Sequence, residues 1–267
     1  MTLEDFCLDG KVAIVTGAST GLGQGMAIGL AEAGADIVGV SSGGTKAKAD
    51  REASNSHDLP DTKTLVEGLG RRYLSIQANL LSTAPIPGIV EQTVAKFGKI
   101  DILVNNAGII RREDAINFSE KDWDDVMNIN LKTLFFLSQA VARQLIAQGS
   151  GGKIIHVASM LSFQGGIRVP SYTASKSGVM GLTRLMANEW AKSNINVNAI
   201  APGYMATNNT APLRADPSRN AAILDRIPAS RWGSPDDLKG PVVFLASKAS
   251  DYIHGYTLAV DGGWLAR

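Results

Sequence analysis

The sequence has few of the residues that disulfides, metal sites or nucleic-acid surfaces require. It contains one cysteine, Cys7, and three histidines in 267 residues, so an intramolecular disulfide is excluded and no cluster of metal ligands is expected. This cysteine usage favours a reducing compartment, the cytoplasm. The 26 basic and 25 acidic residues almost cancel, and the chain therefore offers no basic surface for nucleic acid or an anionic membrane.

Long apolar runs are missing as well. No stretch reaches the roughly 20 apolar residues of a membrane-spanning helix. The first eleven residues, MTLEDFCLDGK, are acidic where a secretory signal is basic, so we expect no membrane attachment. With 45% apolar residues the chain can bury one substantial core, which predicts a single domain over residues 1–267 with a small molecule as its partner.

Seven short apolar segments alternate with stretches of helical character. They occupy residues 11–16, 36–40, 72–78, 101–106, 153–159, 195–201 and 256–260. Strands separated by helices form parallel sheets that are covered on both faces. The pattern therefore predicts a doubly wound, Rossmann-like α/β fold with a seven-stranded parallel sheet. One long helix is predicted over residues 119–148.

Two polar segments interrupt this pattern. Residues 42–63, directly after the second expected strand, contain few apolar side chains and are expected to form a surface excursion. Residues 203–231 follow the sixth expected strand, at the edge where ligands of α/β sheets bind. They are expected to form an irregular, mobile lid over the substrate.

Glycines follow the first expected strand and precede a helix. The segment comprises Gly17, Ala18, Ser19, Thr20, Gly21, Leu22 and Gly23. Backbone N–H groups at such a helix N-terminus can approach a pyrophosphate, whose charge the helix dipole favours, which indicates a dinucleotide-binding loop. Met26 stands where the third glycine of the G-x-G-x-x-G pattern would be, so a glycine-rich turn without a ligand is the alternative.

Four polar residues are candidates for catalysis. Tyr172 and Lys176 are four residues apart and share one face of a predicted helix. A phenol, with an ordinary pKa of about 10, becomes a useful base when a nearby ammonium stabilises its anion. Ser159 ends the fifth expected strand, where its hydroxyl can hydrogen-bond a reacting oxygen, and Asn130 interrupts an apolar helical stretch. The alternatives are a solvated Tyr–Lys pair and a satisfied buried amide.

These residues, in this order, resemble the signature set of the short-chain dehydrogenase/reductase family. The glycine loop, Asn105-Asn106-Ala107-Gly108 after the fourth strand and Pro202-Gly203 after the sixth complete the set, which spans nearly the whole chain. The resemblance implies an oxidoreductase that moves a hydride between a nicotinamide dinucleotide and a hydroxyl or ketone of a small substrate.

The resemblance also implies a role for each candidate. It makes Tyr172 the acid/base and places Ser159 on the substrate oxygen. It gives Lys176 the nicotinamide ribose and the lowering of the tyrosine pKa, and it gives Asn130 a water of the proton relay. The cofactor-binding set that it implies comprises Gly17, Ser19, Thr20, Gly21, Leu22, Gly23, Ser41, Asn79, Leu80, Asn106, Ala107, Gly108, Tyr172, Lys176, Pro202, Gly203, Met205 and Thr207.

The coenzyme is expected to be NAD, with NADP left open. Family members specific for NAD usually end the second strand with an acidic residue, and those specific for NADP have a basic residue nearby. Ser41 occupies this position, while Lys46, Lys48 and Arg51 lie downstream. Asn79 stands where the family commonly has an aspartate against the adenine, and its acceptor oxygen should preserve that contact.

Three arginines are predicted to surround the catalytic oxygen. Arg111 and Arg112 follow the fourth strand, and Arg168 lies in the loop before the tyrosine. Guanidinium groups bind carboxylates through paired hydrogen bonds, and Gln164 can meet a sugar hydroxyl. An acidic sugar is therefore expected, with Arg168 as the preferred carboxylate ligand. The surrounding segments resemble family members that act on deoxy-keto sugar acids, and the alternative for each arginine is solvent or a neighbouring acid.

Other possibilities stay open at this point. A dehydrogenase for another sugar acid or polyol, or a ketoacyl reductase, would carry the same signature, although the balanced charge does not favour docking of an acyl carrier. A non-catalytic dinucleotide sensor would not need the four polar residues together. The family resemblance further implies a homotetramer with two-fold interfaces.

Overall fold

Seven parallel strands form one sheet in the computed structural model, which describes residues 3–43 and 61–267. The strands are β1 (Val12–Thr16), β2 (Asp36–Ser41), β3 (Tyr73–Gln77), β4 (Ile102–Asn105), β5 (Gly152–Val157), β6 (Ile195–Pro202) and β7 (Thr257–Val260). Every residue of β1, β4 and β6 is buried, as expected of parallel strands covered on both faces. The seven expected strands are confirmed, with ends that differ by at most two residues.

The strand order is β3-β2-β1-β4-β5-β6-β7. Each neighbouring pair is parallel, including β1 with β4. The chain therefore winds outwards in one direction from β1 and then in the other from β4. Loops diverge at such a switch point and leave a crevice at the carboxyl edge of the sheet, where ligands bind.

Helices cover both faces of this sheet. They are α1 (Gly21–Glu32), α2 (Thr62–Gly68), α3 (Ile86–Phe97), α4 (Glu120–Met127), α5 (Thr133–Gln148), α6 (Pro170–Trp190), α7 (Ala211–Ala215), α8 (Pro217–Arg226) and α9 (Lys239–Ala246). On one face Met26 of α1 and Val242 of α9 belong to one core cluster. On the other, Ile89 of α3, Leu145 of α5 and Met186 of α6 belong to a second. The two clusters pack the helices against opposite faces of the sheet.

The long helix expected over residues 119–148 is interrupted. It consists of α4 and α5 joined by one π turn, Asn128–Lys132. The turn contains Asn130, whose side chain bonds both backbone polar groups of Ile109. Single π turns inside α-helices occur frequently at functional sites, and this one carries Asn130 at the carboxyl edge of the sheet.

The two polar segments also differ from expectation. Thr62 and Lys63, assigned to the surface excursion, begin helix α2, while Lys46, Lys48 and Arg51 lie outside the described residues. The expected irregular lid contains helices α7 and α8. Helix α8 is ordered by its apolar face, since Ile223 is buried in a cluster around Trp264. Across the described ranges, no helix has the length and apolar content needed to span a membrane.

Candidate active site

The ends of β1 and β4 are bound together at the switch point. The hydroxyl of Thr16 accepts hydrogen bonds from the backbone N–H groups of Asn106 and Ala107 at 3.0 and 2.9 Å. The Asn106 amide donates to the carbonyls of Thr16 and Gly17 at 2.9 and 3.3 Å. Asn106 therefore braces the glycine loop. The bracing role of Thr16 was missed, because a threonine at a strand end gives no signal in the sequence.

The glycine loop is shaped for an anion. Gly17 and Gly21 have positive φ angles of 66° and 57°, which favour glycine. Thr20, the residue before α1, makes no capping hydrogen bond with its side chain, and the first turn of α1 carries no acid. Free N–H groups and the positive end of the helix dipole suit a diphosphate. Met26, in place of a third glycine, is fully buried in the core.

The adenosine side is formed by the ends of β2 and β3. Ser41 ends β2, is half-buried and brings no negative charge. Asn79 is exposed, and its Oδ1 accepts the Leu81 N–H at 3.1 Å, which orients its free amide donor. Leu80 beside it is buried. Contact of Asn79 with the adenine stays a prediction.

Ser159 and Tyr172 lie close together at the carboxyl end of β5, near enough for the Ser159 hydroxyl to favour ionisation of the phenol. The Leu161 N–H donates to Ser159 Oγ at 3.1 Å, which leaves the hydroxyl proton of Ser159 free for the phenol oxygen. Lys176, one turn along α6 from Tyr172, is buried and donates from Nζ to the carbonyl of Val157 at 2.6 Å. The two expected partners of the tyrosine thus both lie close to it.

Burial controls the ionisation of both groups on α6. It raises the pKa of Tyr172, and the Ser159 hydroxyl and the charge of Arg112 oppose this rise. Burial lowers the pKa of Lys176 to about 8. The sequence led us to expect that Lys176 would lower the tyrosine pKa. Its ammonium is bonded to Val157 and lies 5.6 Å from the centre of the Tyr172 ring, and its effect on the tyrosine pKa stays a prediction.

Asn130 connects the loop after β4 to the helix of the tyrosine. Its Nδ2 donates to the Ile109 carbonyl at 3.0 Å and to Ser175 Oγ at 3.2 Å, and its Oδ1 accepts the Ile109 N–H at 2.9 Å. Ser175 in turn donates to the Tyr172 carbonyl at 2.9 Å. A methyl group on Gly108 would lie 3.0 Å from Asn130 Oδ1. Asn130 is thus a satisfied buried amide, and the relay water stays a prediction.

The segment after β6 closes over the glycine loop. Pro202 ends β6, and a methyl group on Gly203 would lie 2.7 Å from Asp261 Cα, so only glycine fits there. Met205 is buried. A methyl group on Gly21 would lie 3.8 Å from Thr207 Cγ2. Thr207 therefore lies beside the start of α1, as a residue in contact with a bound dinucleotide would.

Two of the three predicted arginines are held by acids. Arg111 pairs with Asp122 at 3.2 Å and Asp125 at 3.8 Å. Arg168, the preferred carboxylate ligand, pairs with Asp114 at 3.1 Å and has a positive φ of 62°, which is uncommon outside glycine. The alternative of pairing with neighbouring acids is therefore what the structure shows for both residues.

Arg112 is the remaining arginine. Its Nη2 donates to the carbonyl of Asn209 in the lid at 3.0 Å, and its charge acts on Tyr172. Gln164, expected to meet a hydroxyl, accepts a hydrogen bond from Arg226 of α8 at 3.4 Å. Arg226 was not among the candidates, because only the packing of α8 places it beside this loop. Of the three arginines, Arg112 is the one whose charge lowers the pKa of Tyr172.

The C-terminal residues pack against the lid. Trp264 is 4% exposed and clusters with Met160, Ile223 and Ile227. The guanidinium of Arg226 lies 4.0 Å from its ring centre, a cation–π contact. Since Met160 directly follows Ser159, this cluster connects the lid to the catalytic loop. The described residues contain no group of His, Cys, Asp and Glu that could hold a metal ion.

Comparisons with known proteins agree with this geometry. The family model described as enoyl-(acyl carrier protein) reductase matches residues 17–265. The chain is 68% identical to the 2-dehydro-3-deoxy-D-gluconate 5-dehydrogenase of Escherichia coli over 100% of both chains. It is 52% identical to the Bacillus subtilis protein of the same name, over 99% of this chain and 98% of the other. A crystal structure of a gluconate 5-dehydrogenase from Burkholderia cenocepacia, in complex with NADP and tartrate, has a TM-score of 0.86 and 39% identity over 99% of each chain.

Proposed function

The chain belongs to the short-chain dehydrogenase/reductase family, and on that premise we propose that it is an NAD-dependent dehydrogenase of a deoxy-keto sugar acid. The reaction interconverts 2-dehydro-3-deoxy-D-gluconate and 3-deoxy-D-glycero-2,5-hexodiulosonate, a step of uronate catabolism in the cytoplasm. The observation that carries the proposal is the grouping of Tyr172 with the buried ammonium of Lys176, 5.6 Å from its ring, and with the Ser159 hydroxyl at the carboxyl end of β5. Full-length identity to relatives bearing that enzyme name supports the substrate.

Each residue of the site has a separate role in the oxidation of the alcohol. A bound nicotinamide supplies the acceptor for the hydride that leaves the carbinol carbon. With substrate bound, Ser159 turns its single hydroxyl proton from the phenol oxygen to the substrate oxygen, while the Leu161 N–H still occupies one of its acceptor positions. Tyr172 takes the hydroxyl proton as the C=O bond forms, and returns it in the reverse reduction. Lys176, buried beneath them, holds a positive charge that favours the phenolate when the alcohol is oxidised.

Both coenzymes fit the described part of the adenosine side. Ser41 places no carboxylate where it would repel a 2′-phosphate, and relatives of known structure include one with NADP bound. The prediction of NAD rests on the sequence, where no basic residue ends β2. We therefore expect NAD to be preferred and NADP to be accepted.

The proposal is tested by following the absorbance of the reduced nicotinamide. Purified enzyme is mixed with 2-dehydro-3-deoxy-D-gluconate and with NAD or NADP in separate cuvettes, beside D-gluconate and 2-deoxy-D-gluconate. Reduction with the first substrate at least tenfold faster than with the other two is the expected result. Faster turnover of a comparison acid would assign the chain to another sugar acid, and binding of coenzyme without any turnover would favour the sensor.

Arg112, rather than Arg168, is proposed to bind the substrate carboxylate. Removing a hydrogen bond to a charged group costs about 1.5–3 kcal/mol, so Arg112→Gln should lower kcat/KM for the sugar acid roughly 10- to 100-fold, mainly through KM. Arg168→Gln is the matched control and should change kcat/KM less than threefold, since its ion pairs are exposed. Steady-state kinetics of the two variants decide. A larger loss of kcat/KM in the Arg168 variant would instead support Arg168 as the carboxylate ligand, as the sequence suggested.

A homotetramer is proposed from two uncovered surfaces. Helices α5 and α6 expose the large apolar side chains of Phe136, Ile146 and Leu185, which a contact with a second chain would cover. Strand β7 lies at an end of the described sheet, and an open strand edge is usually covered. Two two-fold contacts give a closed tetramer. Light scattering should therefore report four times the 28.2 kDa of one chain, and a monomer would contradict this.

A further inference from the structure

Helix α2 contacts the glycine loop on its buried side, through Thr62. Thr62, its first residue, has 2% of its surface exposed. Its hydroxyl donates to the carbonyl of Ala18 at 2.7 Å and accepts from Gln24 Nε2 of α1 at 3.1 Å. Ala18 is the second residue of the glycine loop and is fully buried. A buried hydroxyl of α2 is thus bonded on one side to the loop and on the other to the helix that the loop begins.

The placement of Thr62 is itself well fixed. Asp61, the residue before α2, accepts the Thr64 N–H at 2.8 Å and so caps the helix. Val66, one turn further along, is fully buried in the same core cluster as Ala18 and Met26. The hydroxyl therefore reaches the loop from a docked, capped helix turn, and its position does not depend on a flexible side chain.

Peptide geometry converts this contact into an orientation of the next N–H group. The peptide unit is planar, and no cis bond occurs among the described residues, so the N–H of Ser19 points opposite to the carbonyl of Ala18. Thr62 pulls that carbonyl towards the core. The Ser19 N–H is consequently turned to the outer side of the loop, the side where a diphosphate would lie.

We propose that Thr62 is a positioning residue for the coenzyme diphosphate, acting through the Ala18–Ser19 peptide. Without the hydroxyl, the Ala18 carbonyl would be buried and unpaired, which is costly, and the peptide would rotate to find another donor. Rotation would turn the Ser19 N–H away from the phosphate. The proposal rests on the dinucleotide binding in the proposed function, but it concerns a residue outside the catalytic set.

Three substitutions test this role. Thr62→Val keeps the shape and removes the hydroxyl, Thr62→Ser keeps the hydroxyl, and Thr64→Val makes the same change as the first at an exposed position of the same helix. Calorimetric titration gives dissociation constants for NAD, ADP and adenosine, and kinetics give kcat and both KM values. Unfolding temperatures without coenzyme show whether each variant is folded.

For Thr62→Val we expect the dissociation constants of NAD and ADP to rise about tenfold, equivalent to about 1.4 kcal/mol. The constant for adenosine, the KM for the sugar acid and kcat at saturating NAD should change less than twofold. Thr62→Ser and Thr64→Val should resemble the wild type. An equal loss of adenosine binding, or unchanged binding of ADP, would overturn the role.

A second variant covers the case in which Thr62→Val does not fold. Gln24→Leu removes the donor that holds the Thr62 hydroxyl in its direction towards Ala18, so the bond to Ala18 is weakened and not lost. It should raise the dissociation constants of NAD and ADP two- to fourfold and leave adenosine unchanged, and the absence of any change would count against Thr62. If the wild type binds neither NAD nor NADP, the proposed function fails and this inference fails with it. Wild-type binding together with an unaffected Thr62→Val overturns this inference alone.

Discussion

Tyr172→Phe is expected to lower kcat about a thousandfold while the dissociation constant of NAD changes less than threefold. The substitution removes one oxygen, the phenol oxygen whose ionisation the Ser159 hydroxyl favours. General acid–base catalysis is worth roughly 10²–10⁴ in rate, and Tyr172 is the group placed to supply it. Coenzyme binding should persist, since the phenyl ring still fills the site between Ser159 and Lys176. Turnover and calorimetric titration of the same preparation measure both quantities.

The pH dependence separates an acid/base from a residue that merely shapes the site. Burial raises the pKa of Tyr172, so its phenol keeps the proton to a higher pH than a free tyrosine does. The phenolate fraction therefore grows as pH rises towards that pKa. Oxidation of the alcohol needs the phenolate and should therefore accelerate with pH, whereas reduction of the ketone needs the phenol and should slow. Tyr172→Phe should lose both dependences. The control is Tyr256→Phe, at an exposed tyrosine, which should behave as wild type. A phenylalanine variant that keeps a tenth of the turnover would remove Tyr172 as the acid/base.

The seven strands could be predicted because buried strands leave a pattern in the local sequence, whereas their order in the sheet was not predicted. Strands such as β1 and β6, covered on both faces, are continuous apolar runs that stand out in the sequence. The positions of Ser159 and Asn106 follow from where those runs end. For the same reason the sequence was enough to assign candidate residues to the carboxyl edge of the sheet.

Features that depend on contacts between residues distant in the sequence leave no such local pattern and could not be predicted. The pairing of Arg168 with Asp114 and of Arg111 with Asp122 depends on how two loops and a helix meet. For each arginine side chain, the sequence leaves three possible partners open: the substrate, the solvent or a neighbouring acidic residue. The π turn likewise coincides with the bonds of Asn130 to Ile109, 21 residues earlier in the chain. Such contacts decide which candidate arginine is free to bind a substrate.

Lys176→Met is expected to lower kcat at least a hundredfold and to weaken NAD binding about tenfold. Lys176 places a buried ammonium 5.6 Å from the Tyr172 ring centre, and without that charge the phenolate should be less favoured during oxidation. Methionine has a similar length and no charge, so the change tests the ammonium rather than the volume. Kinetics at several pH values and titration with NAD measure the two losses. Lys192→Met, at an exposed lysine just beyond α6, is the matched control and should leave both unchanged.

Stability should respond to this substitution in the opposite direction from activity. Burial lowers the pKa of Lys176 from 10.5 to about 8, so the folded protein disfavours its ammonium by roughly 3 kcal/mol at neutral pH. The bond to Val157 offsets part of the cost of burying the charge. Since the unfolded chain holds the proton up to a higher pH, this residue should make the wild type more stable as pH rises from about 8 to 10.5. Lys176→Met should lack that rise and unfold at an equal or higher temperature at pH 7. Lower stability together with lost activity would mean that the lysine is structural, whereas higher stability with lost activity identifies a buried charge retained for catalysis.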